Sequence, residues 1–164
     1  MKAIDAIRTA MKLNEQDTQL IEDMHDAPLT QPTSAGGNHP LWVLGHLAVT
    51  EGSIPEILFG AQNPVEPWKP LFDAGSEPKA DTDAYPPFDE VLSKYRVLRA
   101  ETLKLLDEMD DADLDKPTKN PPKGAEEFFR TVGQTLLLTA LHQSFHSGQV
   151  ADARRAAGRK PMFM

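Results

Sequence analysis

Proline and glycine are spread unevenly along this chain, and their placement constrains its fold more than any other feature. Thirteen of the 14 prolines and five of the 10 glycines gather at 28–40, 55–87 and 117–124. Between those zones lie four long stretches nearly free of both, each long enough for several helical turns. The first, over 2–27, has apolar positions at Ile4, Ile7 and Met11, then at Leu20, Ile21 and Met24. The two sets do not share one face, and Asn14 followed by Asp17 resembles an N-cap with an acidic third position. That pattern predicts a kink or break near Asn14. The second stretch starts near Asn38, tolerates Pro40 in its first turn, and runs toward Phe59, with Pro55 bending it. The third covers 88–110 on a stripe that includes Phe88, Leu92, Tyr95, Leu98 and Leu106. The fourth spans 125–157 and stops at Gly158, with Arg154 and Arg155 in its last turn, where cations suit the helix dipole. No alternating run of strand length occurs. The expectation is an all-α protein, one domain over 1–164, most simply a four-helix bundle.

One connection is too long for a plain bundle. Residues 60–87 form a segment of 28 residues without an obvious helix, far beyond what adjacent helices need. It carries Trp68, Leu71, Phe72 and Tyr85, so it can pack on the bundle as a crossover or a lid. The back of the fourth helix is also unusual. Gly133, Leu136, Leu137, Ala140, Ser144 and Gly148 are small or apolar, so another helix must cover them, from within the bundle or from a homodimer partner.

Composition narrows the chemistry. The chain has no cysteine, which removes disulfides and thiolate nucleophiles and leaves only nitrogen and oxygen ligands for any metal. Seventeen basic residues against 25 acidic ones give a formal charge of −8, which disfavours nucleic acid and anionic membranes as partners. No apolar run is long enough to span a bilayer, and Met1–Asp5 opens without an apolar leader. The expected location is the cytoplasm.

Five histidines remain, at 25, 39, 46, 142 and 146. His142 and His146 are four residues apart on the fourth helix, a spacing that sets two imidazoles on one face, able to share a metal ion. The zinc-protease form of this motif has Glu after the first His as general base; here it is Gln143, which does not exchange a proton usefully. His46 sits mid-helix in the apolar run Leu41-Trp42-Val43-Leu44-Gly45-His46-Leu47, where a buried imidazole needs a hydrogen-bond partner or a metal. Its stripe includes Val49, Thr50, Ser53 and Ile57, and the facing stripe of the fourth helix includes Thr135, Leu138, Thr139, His142 and Phe145, as a wet pocket requires. Three separately hydrogen-bonded core histidines are the alternative.

Helical rise tests whether the three meet. His46 lies roughly 12 Å from the start of its helix, and the His142/His146 pair roughly 16–22 Å from the end of theirs. Antiparallel packing of the second and fourth helices brings them level; parallel packing separates them by more than two turns. Antiparallel packing makes the third helix run with the second, which needs an overhead connection, and 60–87 supplies it. The order is then up-down-down-up.

The run Asn38-His39-Pro40-Leu41-Trp42-Val43-Leu44-Gly45-His46-Leu47, followed far downstream by His142-Gln143-Ser144-Phe145-His146-Ser147-Gly148-Gln149, resembles the DinB/YfiT-like superfamily of small four-helix metalloproteins. The resemblance implies an up-down-down-up bundle and a divalent metal, zinc or nickel, on His46, His142 and His146. It also implies a range of activities: transfer of low-molecular-weight thiols such as bacillithiol, mycothiol-dependent isomerisation, or metal-dependent hydrolysis. A non-catalytic metal- or ligand-binding protein of the same fold is the alternative.

Three neutral imidazoles leave a metal at least one open position, the arrangement of a catalytic site. Gln149, one turn beyond His146, can orient a ligand or a water. Trp42, Tyr85 and Phe88 are the expected pocket walls, with the mouth at the end that gathers 28–37, 80–88 and the tail Lys160-Pro161-Met162-Phe163-Met164. Arg154, Arg155, Arg159 and Lys160 either give that mouth a positive bias suited to an anionic small molecule, or merely complement the dipole. Glu51 reads as a surface group or a supporting one, His39 as a cap or rim residue, and His25 as without chemistry.

Overall fold

The computed structural model describes residues 1–162, whose helices are α1 (Ala3–Glu22), α2 (Pro40–Phe59), α3 (Lys69–Phe72), α4 (Phe88–Asp107), α5 (Asp111–Leu114) and α6 (Val132–Ala156). Phe163 and Met164 of the expected tail lie outside the described residues. The protein is all-α: among the described residues no strand forms, and an isolated bridge joins Pro117 to Thr131. No helix among them is long and apolar enough to cross a membrane.

Local chemistry sets the helix ends, and it moves several of them from their expected places. α1 is continuous through Asn14, because that side chain caps nothing; its Nδ2 donates to the Ala140 carbonyl at 2.7 Å and its Oδ1 accepts from Ser144 at 3.0 Å. α6 begins at Val132 rather than 125, since Thr131 and Gln134 form a reciprocal capping box that fixes the first turn there. Residues 126–129 form a turn, and Arg130 a bend, ahead of the bridge at Thr131. α4 ends at Asp107 rather than 110, and Asp110 opens α5 with its own capping box to Asp113. α2 starts where expected: the His39 Nδ1 accepts from the Trp42 amide at 3.1 Å, and Gly60, in the left-handed region at φ 69°, closes the other end.

α2 is apolar all round and is buried on nearly every side, between α4 and α6. Two glycines let the 60–87 segment lie directly on it. A methyl group at Gly45 would collide with the ring of Phe72, and one at Gly52 with Asn63 and Val65. The segment is not structureless: it holds α3 and short 3-10 turns at Glu66–Trp68 and Thr82–Ala84, with Phe72 fully buried and Tyr85 stacked on it.

The core has two apolar halves. One gathers Met24, Leu44, Phe72 and Tyr95; the other gathers Ile4, Met11, Leu58 and Leu136. Between them, at mid-height, run buried polar side chains, including Asn14, Glu51, Arg99, Gln143 and His146. Helix pairings are marked by specific bonds. Ile4 meets Asp111, Asn14 meets Ala140, and Asp23 meets Arg154; on the other side Glu51 meets Arg99, and Asn38 meets Gln149. The small, apolar back of α6 is covered only in part within this chain: α1 packs there, with Leu136 and Ala140 buried and Ser144 bonded to Asn14, while Leu137, Ser144 and Gly148 stay exposed. Leu137, Leu141 and Phe145 face outward.

Candidate metal centre

His46 comes from the middle of α2, and His142 and His146 from consecutive turns of α6. Their Nε2 atoms converge: those of His46 and His146 each lie 3.0 Å from that of His142. A tetrahedral zinc ion with nitrogen bonds of about 2.0–2.1 Å sets its ligands roughly 3.3 Å apart, so a small inward-facing cluster of this size is of coordination dimensions.

The outward nitrogens decide what the inward ones can offer. His46 Nδ1 lies 2.7 Å from the Phe72 carbonyl, which can only accept, so Nδ1 carries the proton and Nε2 keeps its lone pair. His146 Nδ1 donates in the same way to Gln149 Oε1 at 2.8 Å, and that oxygen also accepts from Asn38 Nδ2 at 3.3 Å. Two lone pairs therefore point at the third imidazole, which has one Nε2 proton at most to share between them. His142 Nδ1 is buried with no partner among the described residues. A cation at the convergence point satisfies all three nitrogens at once, and on this ground the residues fit a divalent metal. Burial, and then repulsion from the neighbouring imidazoles, pushes His142 down to about 3. Burial above all pushes His146 down to about 4, with Gln149 opposing, and lowers His46 as well. All three are neutral near pH 7, the protonation state that ligates metal.

Trp42 stacks on His46, with ring centroids 4.6 Å apart and planes 12° from parallel, and its indole N–H donates to Ser76 Oγ at 2.9 Å. The 60–87 segment thus supplies a carbonyl for His46 and a hydroxyl for the tryptophan behind it.

A cavity of ≈380 Å³ reaches His46 and His142 from one side, between the facing stripes of α2 and α6. Pro122, Ala125 and Phe129 roof it, and Asp73 and Ala74 flank it. The roof is tied down where the amides of Lys119 and Asn120 both donate to the Ile57 carbonyl, at 3.1 and 3.0 Å.

A family model for the DinB superfamily matches residues 15–150, most of the chain and all three histidines. The chain belongs to the DinB superfamily. No curated protein matches it.

Within this DinB superfamily protein the sequence-derived site divides in two. His46, His142 and His146 come together, and Gln149 holds His146 rather than facing the cavity. Trp42 walls the cluster from behind. Tyr85 and Phe88 are elsewhere: Tyr85 Oη accepts from the Lys79 amide at 2.6 Å and lies 3.4 Å from the Nε2–H of His39, and Phe88 packs in the core beside His25. The mouth is correspondingly not at the 28–37 and 80–88 end, because the crossover packs down there. The cavity runs the other way, toward Ile57 and Pro122.

Three of the four cations expected to form a rim are already paired. Arg154 is buried and donates twice to Asp23 Oδ2, at 2.9 and 2.8 Å; Arg159 binds Asp23 and Asp26, and Arg155 binds Asp152. Glu51 is no surface group: at 3% exposure it accepts from Arg99 and Thr102 in the core, away from the histidines. His39 is the cap of α2, its Nε2 donating to the Lys79 carbonyl at 3.0 Å, and His25 is an exposed partner of Asp89. Gln143, in the position of a protease general base, donates to Asn14 O and Tyr95 Oη and is structural. The reading from sequence missed Asp73, the carboxylate that borders the cavity next to Phe72. Its one signal was the apolar cluster Leu71-Phe72, which anchors the crossover beside the histidines.

Proposed function

We propose that this protein holds a divalent transition metal, zinc or nickel, on His46, His142 and His146, and uses its open coordination position to act on a small molecule. The observation that carries the reading is the convergence of three Nε2 atoms, two of them fixed as acceptors by their outward Nδ1–H bonds and the third with one proton at most to offer, beside a cavity that reaches two of them. The reaction class that fits best is transfer of a low-molecular-weight thiol to an electrophile, with hydrolysis as its close variant. The bound metal would supply electrophilic stabilisation of a thiolate or hydroxide at neutral pH. The chain's own residues do the rest. Phe72 and Gln149 fix which imidazole nitrogens face inward, Trp42 stops His46 from swinging, and Asp73 is the carboxylate placed to take up a proton at the cavity's edge.

The scaffold is read as an up-down-down-up bundle of α1, α2, α4 and α6. Bonds pairing Asn14 with Ala140 and Asp23 with Arg154, and those pairing His39 with Tyr85 and Glu51 with Arg99, support that order. A second reading, a binding protein without turnover, is favoured by the scarcity of proton-transfer groups, Asp73 being the one carboxylate along the cavity among the described residues.

Protein purified without an affinity tag is expected to carry close to one divalent transition ion per chain, and His142→Ala close to none. Full occupancy in His142→Ala would return the three histidines to a packing role. A panel of thiols and electrophiles, run on metal-loaded and metal-stripped protein, separates enzyme from binder; absence of metal-dependent turnover there, and in hydrolase assays, selects the binder.

A further inference from the structure

The cavity beside the histidines has its own chemistry, and it is not that of a site for small hydrophilic molecules. Its walls are Val49, Ile54 and Ile57 of α2, Leu138 of α6, and Ala125 and Phe129 of the roof. Four hydroxyl-bearing residues also line it, Thr50, Ser53, Thr135 and Thr139, and three of the four hydroxyls are already partnered by the preceding helical turn. Thr135 Oγ1 donates to Thr131 O at 3.0 Å, Thr139 Oγ1 to Thr135 O at 2.9 Å, and Ser53 Oγ to Val49 O at 2.9 Å. A threonine bonded in this way adds mainly its methyl group to the wall. The wet pocket that the hydroxyl stripe implied in sequence is therefore a largely apolar chamber. From His46 to Ile57 is eleven residues of α2, or about 16 Å of chamber length.

The polar groups stand at its two ends. At one are His46 and His142. At the other, a second cleft of ≈370 Å³ shares Ser53, Ile57, Asp73 and Pro122 with the chamber and adds Glu56, Lys69 and Lys123. Lys69 is held by Glu56 and Glu66, at 3.2 and 2.6 Å.

We infer that the site takes an elongated amphipathic ligand, with a metal-binding head at His46 and His142, an alkyl or aryl body along the chamber, and a polar end in the cleft beside Lys123. Only the head-group assignment rests on the metal-site reading; the apolar body rests on the chamber. In a transfer reaction, the hydrocarbon-bearing partner occupies the chamber, because a small multiply charged thiol leaves its apolar walls unfilled. Each methylene moved from water onto such walls strengthens binding by a fixed factor, about fourfold.

The test uses two homologous series. Straight-chain thiols from ethanethiol to heptanethiol are titrated into cobalt-loaded protein and followed by thiolate-to-metal absorption. Straight-chain alcohols are titrated into metal-free protein and followed by the methyl NMR shifts of Val49, Ile54, Ile57 and Leu138. Affinity is expected to rise about fourfold per methylene in both. Ala125→Trp, a loop change that fills the chamber, and Leu138→Gln are expected to flatten the rise while metal content stays the same. Affinity independent of chain length in both series, or mercaptosuccinate binding more tightly than hexanethiol, overturns the inference while leaving the metal site standing. If the protein takes up no cobalt while the alcohol series still shows the chain-length dependence, the chamber stands and the metal reading falls.

Discussion

His46 and Glu51 project from the same helix five residues apart, and each meets polar partners away from water. Around Glu51 both carboxylate oxygens are satisfied, and Arg99 Nε is left without a partner among the described residues. One carboxylate oxygen accepts from Arg99 Nη1 at 2.7 Å and the other from Thr102 Oγ1 at 2.6 Å, while Arg99 Nη2 donates to the Met11 carbonyl at 2.7 Å. Tyr95 stands nearby, its hydroxyl raised to about 12 by burial and by the Glu51 charge, so it stays a neutral donor and acceptor in the same layer. Around His46 the reverse holds: protons are directed outward, and lone pairs gather inward with one proton at most among them. Buried polarity that closes on itself stitches helices together. Polarity that converges and stays open is waiting for a ligand.

The sharpest way to break this comparison is to open the closed cluster. Arg99→Met keeps the side-chain length but leaves the Glu51 carboxylate buried and unpaired, for which a loss of roughly 3–5 kcal/mol is expected. Urea denaturation measures it. The folded fraction of the variant should still bind metal, because Arg99 makes no contact with the histidines. A loss under about 1 kcal/mol would mean that water or a proton reaches Glu51, and the contrast between the clusters would be weaker than drawn here.

A smaller effect is expected where the open cluster is steadied from outside. Gln149→Ala removes the acceptor for His146 Nδ1 and frees Asn38 Nδ2. Loss of such an outer partner weakens metal affinity by about 10–100-fold. Competition against a chromogenic chelator reads the change directly, with folding stability near that of the parent. Unchanged affinity would assign Gln149 to helix packing alone.

Both clusters occupy mid-helix positions, but only one was legible in the sequence. The i, i+4 pair His142/His146 and the apolar setting of His46 identify themselves because helical rise converts their numbering into a shared height. Glu51 read as a surface group because its partner Arg99 is 48 residues away on another helix, and no local pattern links them. The direction of the cavity was hidden for a related reason. Rise arithmetic gave the distance from the histidines to each end of the bundle, but could not say which end the crossover seals. Gly45 and Gly52 decide that, by admitting Phe72, Asn63 and Val65 against α2. The start of α6 was legible in principle: Thr131-Val132-Gly133-Gln134 is a capping-box sequence, and it marks residues 125–131 as the roof rather than the helix.

The smallest expected effect is a pH dependence to which the open cluster contributes beside the buried His39. In the metal-free protein, burial and mutual repulsion hold His142 near 3 and burial chiefly holds His146 near 4, whereas an unfolded chain titrates its histidines near 6.5. Between those values the unfolded state binds more protons than the folded one, so stability falls as pH falls. The contribution is fully present above about 6.5, declines as pH drops toward 4, and levels off once the folded-state imidazoles themselves take up protons. His142→Gln should shallow that decline in urea titrations at successive pH values, because the imidazole held lowest in the folded state is gone. Metal-loaded protein should fall off more steeply than metal-free protein over the same range, since protons then also compete for ligand nitrogens. The same slope in parent and His142→Gln would place the acid sensitivity elsewhere, at His39 or among the carboxylates, and dissociate it from the histidine cluster.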